Sequence, residues 1–146
     1  MALVIEKAVP EDMAVITALL QAGDLPTEDV GEHLANFLVA REGGRIVGTI
    51  GMEIMPPIGM LRSLAVDDAC RSRGAGAALC RHLLARARQR GLNEMYLLTT
   101  TAADYFAARG WTVIDRARVP EAIRHTRQFQ ELCPASATCM KLSLTP

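Results

Sequence analysis

Residues 71–76, RSRGAG, set two arginines and two glycines where an apolar stretch, LRSLAV (61–66), gives way to the small-residue run GAALC (76–80). Helix N-termini carry unpaired backbone N–H groups and partial positive charge, so a helix opening here is suited to hold an anion. Gly74 and Gly76 let the backbone approach a phosphate closely, and Arg71 and Arg73 add charged, forked donors. This is the pattern of a diphosphate cradle. It lacks the lysine of a nucleotide-hydrolase loop, and it lacks the third glycine and downstream acid of a dinucleotide fingerprint.

Two further charges stand out in apolar strand sequence. Glu53 lies within RIVGTIGMEIM (45–55), where a carboxylate is either a solvent-face residue or a proton acceptor. Arg62 lies between Leu61 and Leu64, either on an uncovered face or as a fork for an oxyanion. Six arginines and no acid fall between residues 69 and 93, which reads as a solvated helical face or as a field for a polyanion. The four cysteines, Cys70, Cys80, Cys133 and Cys139, show no CxxC pair. Cys133 and Cys139 with His125 lack zinc spacing, so reduced thiols are expected and no metal site.

The elements that must position these groups follow from periodicity and punctuation. LVIEKA (3–8) predicts a strand, and PEDMAVITALLQAG (10–23) a helix entered at Pro10 and stopped at Gly23. TEDVGEHLANF (27–37) predicts a shorter helix. Strands 37–42 and 45–55 flank a Gly-Gly turn and form a hairpin. Pro56-Pro57 ends it, and 59–66 is the next strand. Helix 76–90 ends at Gly91. Strand 94–100, helix 102–109, strand 111–115, helix 120–132 and strand 137–144 complete a mixed α/β sheet with packed helices.

At 146 residues with zero formal net charge, the chain is expected to be a single domain, 1–146. Balanced charge argues against a nucleic-acid binder. The N-terminus has only a short apolar run before Glu6, and the longest apolar tract is broken by Glu53 and the proline pair, so no membrane span and a cytoplasmic location are expected.

With a LAV strand before it and a helix after it, RSRGAG fits R-x-x-G-x-G, and nearly the whole chain resembles the GNAT superfamily of acetyl-CoA-dependent N-acetyltransferases. The resemblance implies an α/β (α+β) fold with a mostly antiparallel sheet of about seven strands, splayed between the fourth and fifth, and helices on both faces. It implies acetyl-CoA as co-substrate. Leu64, Ala65 and Val66 would pair with the pantetheine arm, one N–H there serving as oxyanion donor. The diphosphate would sit on the N–H groups of Arg71, Ser72, Arg73, Gly74, Ala75, Gly76 and Ala77. Thr99 and Thr100 would lie at the lip of the opened strand, Thr100 toward the coenzyme. Many relatives carry an acid tyrosine four residues before the glycine of a GF pair. Here Phe106 has that spacing before Gly110-Trp111, as a coenzyme contact, and Tyr105 stands about 100° round the helix. Tyr105 remains the candidate acid, with a water as alternative, and Glu53 the candidate base.

LLTTTAADYFAARGW and FQELCPASATCM are similar to the arsenic-resistance N-acetyltransferases and to the acetyltransferase domain of N-acetylglutamate synthases. That similarity implies a small amine with an anionic group, an amino-arsenical or a glutamate-like amino acid, met by Arg62, Ser63, Thr99, Arg127 and Ser136. It also implies direct transfer through a ternary complex, and a homodimer as the common assembly. A catalytically idle acyl-CoA sensor and a metal-binding module are the competing classes.

Overall fold

The computed structural model describes residues 2–71 and 74–145. Ser72 and Arg73, two positions of the predicted cradle, lie outside them. Seven strands form a sheet of order β1-β2-β3-β4-β5-β7-β6, with β1 Leu3–Lys7, β2 Phe37–Glu42, β3 Arg45–Met55, β4 Ile58–Val66, β5 Glu94–Thr99, β6 Thr112–Ile114 and β7 Thr138–Ser143. The β4–β5 pair is parallel and joins Ile58–Met60 to Glu94–Tyr96; the β1–β2, β2–β3, β5–β7 and β6–β7 pairs are antiparallel. The helices are α1 Met13–Ala22, α2 Val30–His33, α3 Ala75–Gln89, α4 Ala103–Ala107 and α5 Glu121–Arg124. Among the described residues, no helix is long and apolar enough to cross a membrane.

The chain divides into two compact units, residues 1–53 with 61–86, and 54–60 with 87–146. In the first, α1 buries Ile16 and Leu20, one turn apart on one face. They join Val30, Phe37, Val39 and Ile46 in a core. The β2–β3 hairpin turns through Gly43 (φ +61°) and Gly44 (φ +81°), the left-handed pair that a two-residue hairpin loop requires. Phe37 packs across Gly51, where a methyl group would overlap its ring. In the second unit Met60, Tyr96, Val119, Ile123 and Cys139 form the core.

Two predicted helices are shorter than their sequence pattern. The expected 27–37 helix is reduced to α2 and a 3-10 turn, Leu34–Asn36. The expected 120–132 helix breaks after Arg124 and resumes as a π-helical turn, Gln128–Leu132. The break lies at Thr126. Its hydroxyl donates to the Ile123 carbonyl (2.7 Å) and accepts from the Phe129 N–H (3.2 Å), so a side chain takes backbone partners from the helical ladder.

Candidate functional site

β4 changes character at Ser63. Residues 59–63 are buried, whereas Leu64, Ala65 and Val66 are half-buried. Ser63 itself has φ +60°, a left-handed conformation that costs an L-residue roughly 1–2 kcal/mol and persists only when its surroundings enforce it. Beyond it, the Asp67 N–H donates to the Val47 carbonyl at 2.8 Å. Gly48 admits this approach, since a Cβ there would stand 3.0 Å from Leu79 and 3.2 Å from the Ala65 carbonyl oxygen.

The turn after β4 is held by Asp67. Its carboxylate accepts from the Ala69 N–H (3.0 Å) and from Arg45 (3.0 Å). Gly74 then takes φ +86° and opens the fifteen-residue α3, with nothing within 4 Å of a Cβ built on it. Gly74 is exposed, Ala75 buried, Gly76 and Ala77 half-buried. Arg71 is exposed and 3.0 Å from Asp68, a surface pair of little energetic consequence.

Beside this strand lies a buried charge cluster within the same unit. The Arg62 side chain has 0% exposure, as does that of Asp29. Its guanidinium holds Asp29 bidentately, Nη1 to Oδ2 at 2.7 Å and Nη2 to Oδ1 at 2.5 Å. Nη1 also donates to Glu53 Oε2 at 3.0 Å, and Nε to Ser63 Oγ at 3.1 Å. His33 completes the cluster, its Nε2 lying 3.6 Å from Asp29 Oδ2 and 3.7 Å from Glu53 Oε1. Burial alone would push the Asp29 carboxyl up; the hydrogen bonds and charge of Arg62, with the field of His33, outweigh it and hold it below the ordinary carboxylate range. The ligand atoms of Asp29, His33 and Glu53 lie within 4.8 Å of one another, and the cation bridging the two carboxylates is Arg62 itself.

Arg62 therefore differs from the sequence expectation. Its fork faces Asp29 and Glu53 instead of a substrate anion, because an unpaired guanidinium could not be buried at this depth. Glu53, the predicted base, is 7% exposed, and one of its oxygens is occupied by Arg62. Asp29 and His33 were not singled out by sequence reasoning. The signal was present in TEDVGEH, where an acid and a histidine stand four apart at the mouth of a short helix.

The remaining predicted residues lie in the other unit. Thr99 Oγ1 accepts from the Ala102 N–H at 2.9 Å and so holds the start of α4; Thr100 is exposed. Phe106 is buried, edge-on to Trp111 at 5.7 Å. Tyr105 is half-buried, with the Arg109 guanidinium 3.6 Å over its ring. Arg127 pairs with Glu131 at 3.2 Å, and its side chain is 42% exposed. Ser136 is exposed. No disulfide joins the four cysteines; Cys70, Cys80 and Cys139 are buried and Cys133 half-buried. Burial pushes the Cys139 thiol up, against the opposing charge of Arg116.

The family model for the acetyltransferase (GNAT) family matches residues 11–111. An amino-acid acetyltransferase of Neisseria meningitidis is 26% identical over 121 residues, covering 80% of this chain but only 28% of its own length. The chain thus spans less than a third of that relative. An uncharacterised N-acetyltransferase of Chlorobaculum tepidum is 29% identical over 118 residues, covering 80% of this chain and 74% of its own. Among solved structures, N-acetylglutamate synthase from Neisseria gonorrhoeae, complexed with coenzyme A and N-acetyl-glutamate, superimposes over 100% of this chain and 36% of its own, with a TM-score of 0.86 at 21% identity. That likeness is one of fold. The strand, the left-handed glycine and the helix that follow one another here fall inside the matched span, and the chain belongs to the acetyltransferase (GNAT) family.

Proposed function

We propose that this chain transfers the acetyl group of acetyl-CoA directly to the amino group of a small amine that also bears an anionic group. The observation that carries the reading is the β4–Gly74–α3 junction. A positive φ, open space where a side chain would stand, and a long helix starting at Ala75 together suit a diphosphate, whose oxygens take N–H donors from the first helical turn. Gly74, Ala75, Gly76 and Ala77 are the described residues that would hold it, with Arg71 adding charge; Ser72 and Arg73 keep the roles their sequence suggests. Leu64, Ala65 and Val66 offer a strand edge to the pantetheine arm, and an N–H in this stretch would stabilise the oxyanion. Thr100 and Phe106 are the contacts proposed for the coenzyme from the following strand and helix.

The acceptor class rests on kinship with amino-acid acetyltransferases and on polar groups left at the surface. Arg127 and Ser136, with Thr99, are proposed to meet the acceptor's anionic group. Within that class an amino-arsenical joins the glutamate-like amino acids, on the strength of FQELCPASATCM and of the thiols Cys133 and Cys139, and a role in arsenic resistance follows from it. Tyr105 or a water would return a proton to the departing thiolate.

Gly74→Glu tests the coenzyme site. It sets a carboxylate where the diphosphate must lie and a side chain at φ +86°, so the thermal stabilisation that acetyl-CoA confers on the parent should vanish. A variant stabilised as strongly as the parent overturns the assignment. Acetyl-CoA consumption across amino acids, polyamines, aminoglycosides and amino-arsenicals identifies the acceptor, and consumption with none of them favours the idle acyl-CoA sensor. Intact mass after incubation with acetyl-CoA alone should be unchanged; an adduct lost on replacing one cysteine would show a covalent relay instead.

A further inference from the structure

We propose that His33 is the catalytic base of this reaction, with Asp29 and Glu53 as the residues that position it. The inference rests on the acetyltransferase reading above and names the group within that site that moves the proton. Both carboxylates approach the same ring atom, Nε2, at 3.6 and 3.7 Å. Two negative carboxylates near one nitrogen favour the tautomer with its proton on Nε2, which leaves the lone pair on Nδ1. This is the arrangement of an imidazole base oriented by a carboxylate, with a second carboxylate added.

Glu53 is poorly placed to do the work itself. Its carboxylate is 7% exposed, and one of its oxygens is taken by a 3.0 Å bond from Arg62. His33, by contrast, is the exposed end of the cluster, with 26% of its side chain open, so it can take a proton from a ligand and return it to solvent. The charged groups facing it are Asp29 from the loop before α2, Glu53 from β3 and Arg62 from β4. Counted together, two carboxylates against one guanidinium leave one negative charge beside the ring. The opposite end of the cluster is the Ser63 hydroxyl, whose residue adjoins Leu64. One continuous network therefore links His33 to the strand proposed to anchor the thioester.

The proton bookkeeping closes. The acceptor ammonium gives one proton to His33 Nδ1, and its nitrogen lone pair then forms the C–N bond as the thioester C–S bond breaks. The second nitrogen proton leaves with the thiolate as the free thiol, and His33 releases its proton to water.

The test is turnover of the full chain with its best acceptor. His33→Ala should lower kcat by about a hundredfold, while acetyl-CoA still stabilises the protein as in the parent. Imidazole added to the buffer should restore at least tenfold of the loss, and the acid limb of the parent's pH–rate profile should disappear. His33→Gln, which keeps bulk and polarity, should be as slow as the alanine variant. A rate within twofold of the parent, or no rescue by imidazole, overturns the proposal. If the parent itself acetylates no amine, the acetyltransferase reading fails on its own. The tautomer then decides the present inference: nitrogen-15 histidine spectra should show the neutral ring protonated on Nε2, and an Nδ1-protonated ring overturns it.

Discussion

At the scale of single residues, the Asp29–Arg62 pair dominates. Removing one partner leaves the other charged and buried, so Asp29→Asn should cost about 3–5 kcal/mol in denaturant unfolding. The double change Asp29→Leu, Arg62→Met should recover only part of that, because it removes this pair of charges together but leaves the Glu53 carboxylate buried without its Arg62 partner. The acid behaviour follows from the same bond. A carboxyl held below its ordinary value stabilises the fold fully above the unfolded chain's pKa, and loses that contribution as pH falls through the folded value. Asp29 is such a group, so parent stability should drop at the acid end, below the ordinary carboxylate range, and drop less steeply in the double variant. Arg62 was conspicuous in the sequence as a charge among apolar neighbours. Its partner was not, since Asp29 stands 33 positions away and reads locally as an acid at a helix mouth. Periodicity reports the face a residue occupies, not who meets it there.

At the scale of elements, the legible parts are those whose own sequence dictates them. The β2–β3 hairpin has the predicted bounds, 37–42 and 45–55, because Gly43 and Gly44 leave one turn geometry open. The helix predicted at 76–90 spans Ala75–Gln89, because its apolar spacing is uninterrupted. The 120–132 prediction failed at Thr126, where a hydroxyl outcompetes the helix; threonine is neutral enough in a helical pattern that only the tertiary setting decides. Gly51 is a further tertiary requirement hidden in a strand. Gly51→Ala should cost about 1–3 kcal/mol through overpacking against Phe37, measured as a lowered Tm. An unchanged Tm would mean that the ring can move aside despite its full burial.

At the scale of the whole molecule, the fold class was legible and the placement of chemistry only partly so. The strand–glycine–helix junction at Gly74 could be read from the sequence because strand, loop and helix are contiguous. The charge cluster could not, because α2, β3 and β4 each contribute one or two members. Alkaline stability has its own determinant in the second unit. Burial, helped by the hydrogen bond and charge of Glu94, pushes the Tyr96 hydroxyl up to about 12. A phenol raised in this way stabilises the fold fully below its ordinary value of 10.0 and ceases to do so as pH rises through about 12. Tyr96→Phe should flatten that limb of the stability profile, as followed by circular dichroism. Finally, the bond between Asp29 and Arg62 imposes an order on biosynthesis. The ribosome delivers the acid first, and its counter-charge arrives only after β3 and the start of β4 have been made. Until then the segment around α2 carries a carboxylate that cannot be buried without a large penalty. It must wait in water, and a nascent chain arrested before residue 62 should leave that segment open to protease while one arrested after β4 clears the exit tunnel should not.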